Sequence, residues 1–294
     1  MIMRPSTTPY TMADYVAAYE SEDYPNAIAI WDALAEANAQ YLIRESGGSY
    51  DATLPPIFAS FMPKSGGTFL YNRMIQQVGY VDYPWVVTRW QSHTEAYPTP
   101  LSLAAYRRGG FFGHTHAVPS PYFRMVFGAH DAEPVWVHLR NPAEACLAGY
   151  FHYLGEGQGE GKARDARLAG IEAEKVILRE RHGFTIGSWP AFFRRWLGFY
   201  AGWVSAWLSY REEYPERVFF TYFDELTDLP KLLHRVFRRY GFEYDPQGIA
   251  EQLPDDRRRK TGNHAWQAGL SDEDIASQAD HLCVWNRVLE LRNA

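Results

Sequence analysis

Ile57-Phe58-Ala59-Ser60-Phe61-Met62 is a short apolar run that leads straight into Pro63-Lys64-Ser65-Gly66-Gly67-Thr68. A run of this length with turn chemistry behind it reads as a strand buried on both faces, as in parallel sheets. From Thr68 to Val78 the period changes. Phe69, Leu70, Met74 and Ile75 fall on one face of a helix. A buried strand that passes through a glycine turn into a helix commits the chain to an α/β fold, because parallel strands need crossover connections.

The rest of the chain continues the alternation. Strands are expected at Tyr83–Val87, Gly110–Thr115, Val135–Leu139 and Val218–Tyr222, and helices at Pro142–Leu154, Glu172–Arg181, Ala191–Glu213 and Pro230–Tyr240. The implied fold has three α/β/α layers around a central, mostly parallel sheet of about five strands. At 294 residues one domain with insertions is expected. Residues 1–50 form a helical N-terminal extension, helical over 11–45, and residues 155–163 a mobile loop, since Gly155 to Gly161 holds four glycines and two glutamates. Ser271–Leu291 reads as a last helix with Ser271 as its N-cap.

Composition narrows the function. A net charge of −6 argues against a nucleic-acid partner. The concentrated basic run, Arg257-Arg258-Arg259-Lys260, suits a small anion or is simply a solvated stretch. Cys146 and Cys283 form no metal-type or disulfide pattern, which fits a reducing, cytoplasmic setting. Met1 to Tyr15 lacks the pattern of a signal peptide, and the longest uncharged apolar stretch, Trp196–Tyr210, is too short to span a bilayer.

Three segments carry chemistry. In the first, Gly66 and Gly67 let backbone N–H groups converge on one anion, the following helix adds its positive end, Lys64 adds a charge, and Ser65 and Thr68 add hydroxyls. An ordinary strand-to-helix turn uses similar residues. A Walker loop places Lys after the last glycine, whereas Lys64 precedes both. In the second, Arg140 ends an expected strand, where open α/β sheets bind ligands, and suits a phosphate or a pairing with Glu144. In the third, His114 and His116 share a strand face if the strand persists. They can be packing residues, a zinc pair lacking further ligands, or the site of a catalytic base.

Pro63-Lys64-Ser65-Gly66-Gly67-Thr68 resembles the PKSGTT-type loop of sulfotransferases that use 3′-phosphoadenosine 5′-phosphosulfate (PAPS). Arg140-Asn141-Pro142 through Tyr150 is similar to that family's RNPxDxxxSxY segment, with Ala148 where the family has Ser. His114-Thr115-His116-Ala117-Val118-Pro119 resembles KTHxP with one extra residue, Tyr222-Phe223-Asp224-Glu225-Leu226 resembles YEDL, and Arg257 to Trp266 loosely resembles RKGxxGxW. The resemblance implies a P-loop-like fold and in-line sulfuryl transfer from PAPS, without metal, to a hydroxyl of a small molecule or glycan. It implies that His116 is the base and Lys64 stabilises the leaving group. Ser65, Gly66, Gly67 and Thr68 would hold the 5′-phosphosulfate and Arg140 the 3′-phosphate, with Tyr222 near the adenine. Arg258 and Arg259, or in a shifted register Arg259 and Lys260, would close over the 3′-phosphate. The missing hydroxyl at Ala148 would weaken nucleotide binding by about 1.5–3 kcal/mol unless another donor replaces it. A nucleotide kinase of the P-loop class lacks its Lys-[ST] pair and magnesium-binding Asp here. A non-catalytic adenosine-nucleotide-binding protein is the other alternative. Tyr83–Tyr97, Pro119–Phe123 and Gly155–Gly161 are expected to line the acceptor pocket.

Overall fold

The structure is a computed structural model. It describes residues 10–45, 50–82, 103, 106–129, 134–155, 168–173, 175–176, 179–180, 185–244 and 265–293. Five strands make one sheet: β1 (Ile57–Phe61), β2 (Val81–Asp82), β3 (Phe111–Thr115), β4 (Val135–Leu139) and β5 (Val218–Tyr222). Their order is β2-β3-β1-β4-β5, and every pairing is parallel. The first strand is therefore the central one. The chain fills one side first, the edge strand β2 before the inner β3, and then builds outward on the other through β4 and β5.

Both faces of the sheet are covered, which is why its strands lack polar alternation. On one face Phe58, Phe111, Val135, Val137, Leu139 and Phe220 join a core shared with α4 (Pro121–Ala129), α5 (Pro142–Tyr153), α6 (Trp189–Glu213) and α9 (Ala279–Asn293). On the other, Ile57, Ala59, Phe61, Phe112 and Trp136 pack against α3 (Gly67–Arg73) and α7 (Leu229–Arg239). The apolar stretch Trp196–Tyr210 lies inside α6, where Trp203 and Trp207 are buried. Among the described residues no helix is long and apolar enough to cross a membrane.

Some boundaries differ from the sequence expectation. The N-terminal helical region is two helices, α1 (Met12–Glu20) and α2 (Tyr24–Glu45). At the break the Ser21 hydroxyl donates back to the Ala17 carbonyl, Glu22 takes a left-handed φ of 62°, and Pro25 follows in the first turn of α2. The last helix is also two. Ser271 caps α8 (Asp272–Ala276) in a capping box with Asp274, and α9 starts at Ala279. The helix after β1 continues past Arg73 as a π turn, Met74–Val78. The expected strand Tyr83–Val87 lies outside the described residues, and β2 ends just before it.

Candidate active site

Three segments meet at the carboxyl ends of the three central strands. The glycine loop follows β1, His116 follows β3 and Arg140 follows β4. Because β3 and β4 flank β1, this is where the strand order reverses and where open parallel sheets leave a crevice for ligands.

The loop is built tightly. Ser65 N–H donates to the Met62 carbonyl at 3.1 Å, turning the chain back over the strand end. Gly66 has φ 91°, and a Cβ there would lie 2.8 Å from Leu226 Cδ1. Gly67 has ordinary dihedrals, yet a Cβ would lie 2.8 Å from Phe61 Cβ. Backbone shape requires glycine at the first position, and the close approach of α3 to β1 requires it at the second. Lys64 is not glycine and still has φ 65°, a conformation that costs about 1–2 kcal/mol for an L-residue. Arg140 Nη1 donates to the Lys64 carbonyl at 3.0 Å and braces this strained residue. Thr68 is exposed in the first turn of α3. Ser65 is fully buried, and among the described residues its hydroxyl has no hydrogen-bond partner. Buried hydroxyls nearly always find partners, so this one marks a place where a ligand acceptor fits.

Arg140 is 4% exposed. Its Nε pairs with Glu144 Oε2 at 3.4 Å, and its guanidinium lies 4.0 Å from the centre of the Phe223 ring. Burial lowers its pKa, with Glu144 opposing the shift, and a guanidinium remains charged regardless. Arg140 thus has its carboxylate partner and also stands beside the glycine loop. Asn141 caps α5 through its side chain, which accepts from Ala143 N–H at 2.9 Å. Pro142 follows where a missing N–H does no harm. Ala148 lies half-buried on that helix.

The two histidines have different surroundings. The His114 ring lies 4.4 Å from Tyr71 and is stacked on Phe112. β3 ends at Thr115, and His116 lies just beyond it. His116 Nδ1 is 2.6 Å from the Phe61 carbonyl oxygen. A carbonyl only accepts, so Nδ1 carries the hydrogen and, in the neutral ring, Nε2 carries the lone pair. The His116 backbone is held from the other side of the sheet. Trp203 Nε1 donates to the His116 carbonyl at 2.6 Å and Trp207 Nε1 to the Ala117 carbonyl at 3.0 Å. Ser60 Oγ donates to the same Ala117 carbonyl at 2.7 Å. Trp203 and Trp207 are four residues apart and share one helix face.

Tyr222 ends β5 and is 4% exposed, with the Arg292 guanidinium 4.4 Å from its ring centre. Phe223, the next residue, is the aromatic that faces both Arg140 and Gly66. Sequence reading passed over it, and over Trp203 and Trp207. Arg258, Arg259 and Lys260 lie outside the described residues, as do 83–97 and 156–161 of the expected acceptor-lining segments. Among the described residues, no three or more His, Cys, Asp or Glu are placed to hold a metal.

Beneath the loop, His138 on β4 is fully buried, and burial holds its pKa down to about 3. The unfolded chain binds a proton near the ordinary value of about 6.5 that the folded chain refuses. Stability is therefore full above that value and is lost as pH falls toward 3. Relative to His138→Gln, the wild-type unfolding free energy is expected to fall by about 1.4 kcal/mol per pH unit between about pH 6 and 4.5, measured by urea unfolding. Parallel curves for the two proteins would show that His138 titrates normally.

No protein-family model matches the chain, and no curated protein is significantly similar to it. Among solved structures, a sulfotransferase from Alicyclobacillus acidocaldarius is similar at 16% identity and a TM-score of 0.41, covering 78% of this chain and 95% of that one. Mouse sulfotransferase SULT7A1, complexed with PAP, is similar at 13% identity and a TM-score of 0.42, covering 84% of this chain and 94% of that one. Both TM-scores are low, and neither likeness identifies a residue of the site.

Proposed function

We propose that the chain transfers a sulfuryl group from PAPS to an acceptor hydroxyl, with His116 as the base. The observation that carries this reading is the 2.6 Å bond from His116 Nδ1 to the Phe61 carbonyl. It ties a proton-accepting imidazole to the last strand residue before a glycine loop shaped to hold an anion. A base and an anion cradle on one strand end are what in-line transfer to a hydroxyl needs.

The residues fit the donor nucleotide. The buried, unpartnered Ser65 hydroxyl and the loop held open by Gly66 and Gly67 suit its 5′-phosphosulfate. Thr68 stands at the start of α3, where first-turn amides have no intrahelical acceptor. Arg140 puts a cation at the end of β4 for the 3′-phosphate, and Arg258, Arg259 and Lys260 are proposed to close over it. Tyr222 is proposed near the adenine, with Phe223 beside it. When bound, the nucleotide supplies the sulfuryl group. His116 takes the acceptor proton at Nε2, and Lys64 neutralises charge on the leaving oxygen. Cations and backbone donors do the clamping, so no metal is required. The acceptor is a small-molecule or glycan hydroxyl.

Two measurements test this. Adenosine 3′,5′-bisphosphate without magnesium is expected to raise the melting temperature by several degrees, and ATP is not. Radiolabelled sulfate from PAPS is then expected on members of a panel of alcohols, phenols and sugars. Equal stabilisation by ATP and the bisphosphate, with no transfer to any acceptor, would remove the proposal.

A further inference from the structure

The net charge of the chain sits in one place. From Thr11 to Glu45 seven carboxylates stand against a single cation, Arg44, a net of −6. That equals the charge of the whole chain, so the remainder is balanced. Asp14 belongs to the cap of α1, and Glu36 pairs with Arg108. Glu20, Glu22, Asp23 and Asp32 are exposed and, among the described residues, pair with no cation.

The same two helices leave an apolar strip in solvent. Val16 and Tyr19 of α1 and Tyr24 and Ile28 of α2 are each between 44% and 56% exposed. Val16 and Tyr19 are three residues apart and Tyr24 and Ile28 four, so each pair shares a helix face. Tyr19 meets Tyr24 edge to face with ring centres 5.7 Å apart, which joins the two pairs across the hairpin. Glu20 lies four residues after Val16 and Asp32 four after Ile28, so carboxylates border the strip. Ala18, Ala27 and Ile30, with Tyr15 and Leu34, form a small core between the helices, separate from the two cores of the sheet. Single exposed apolar residues are ordinary, but a joined strip with a polar border marks an interaction site. A third helix laid over the pair is the geometry that buries such a strip.

The charge selects what covers it. A second copy placed strip to strip would bring two hairpins of like charge together, and an anionic bilayer or a nucleic acid would meet the same repulsion. We propose that the α1–α2 hairpin is a docking face for a basic amphipathic helix of a partner protein, with the apolar side of that helix on Val16, Tyr19, Tyr24 and Ile28 and its Lys and Arg residues against Glu20, Asp23 and Asp32. None of these residues belongs to the candidate active site, so the face is independent of the chemistry there.

The test uses the full chain and two labelled synthetic peptides of the same length and helical pattern, one of leucine and lysine, the other of leucine and glutamate, read by fluorescence anisotropy. The lysine peptide is expected to bind at least about tenfold more tightly than the glutamate peptide, and to weaken as salt rises. Tyr19→Ser with Ile28→Ser is expected to weaken the lysine peptide about tenfold, whereas Met125→Ser, at an exposed apolar residue of α4, leaves it unchanged. Glu20→Lys with Asp32→Lys keeps the strip and is expected to remove most of the preference for lysine over glutamate. Should the serine variant fail to fold, this charge variant decides. Equal binding of the two peptides by the wild type, or hairpin variants that bind the lysine peptide as the wild type does, overturns the proposal. Another occupant overturns it too. A dimer in sedimentation velocity that the serine variant loses assigns the face to a second copy, and phosphatidylserine vesicles that carry the wild type but not that variant assign it to a membrane.

Discussion

His116→Ala is expected to lower turnover by roughly 10²–10⁴-fold while changing affinity for adenosine 3′,5′-bisphosphate by less than about twofold. The loss follows from the tautomer. With Nδ1 committed to the Phe61 carbonyl, Nε2 is the atom left to accept a proton, and alanine has no substitute. The fold is expected to persist because the anchors of this segment are backbone carbonyls. Trp203, Trp207 and Ser60 hold residues 116 and 117 whatever side chain is present. Turnover is read with PAPS at saturating acceptor and affinity by calorimetry. Wild-type turnover in the variant would remove His116 as the base. A matching loss of nucleotide affinity would make it a binding residue instead.

Lys64→Gly is expected to move stability and activity in opposite directions. Lys64 has φ 65°, which glycine adopts without strain. Relief of that strain outweighs the greater freedom of glycine in the unfolded chain, so the variant is expected to be about 0.5–1 kcal/mol more stable. The brace from Arg140 survives, because it grips the carbonyl of residue 64. Turnover is expected to fall roughly 10²–10³-fold, since the ammonium proposed to neutralise the leaving oxygen is gone. Urea unfolding and a transfer assay on one preparation check both. An active, more stable variant would show that the charge is not used. A less stable one would show that the loop does not carry the strain.

Much of this site can be read along the chain, and its limits have physical causes. β4 and β5 match their expected boundaries residue for residue, at Val135–Leu139 and Val218–Tyr222, because each is a buried apolar run with clear polar borders. The loop's place is legible because two glycines between a buried apolar run and a helical period mark a tight strand-to-helix turn. The partners are harder to read. Phe223 lies 83 residues after Arg140, and Trp203 lies 87 after His116. Only the sheet order brings such pairs together. His138 sits within the expected strand Val135–Leu139, yet that position gives no hint of Thr221. The helix breaks at Ser21 and Ser277 went unread for a different reason. Both carry local back-bonding by serine, which competes with the helix, and only the first has a proline close by, Pro25.

The central place of β1 has a consequence for how the chain assembles the candidate site during folding. Its two neighbours arrive from far along the chain: Ile57 pairs with Phe112 and Ala59 with Trp136. Such long loops close late, so the sheet belongs to the slow, high-contact-order class. Until β3 and β4 dock, Ile57–Met62 is an unpaired sticky edge, the kind of segment that drives association between partly folded chains. His116, the loop and Arg140 also follow separate strands, so a half-folded intermediate does not bring them together. Recovery of activity on refolding is therefore expected to follow formation of the complete sheet in a single kinetic phase, with yield falling as protein concentration rises.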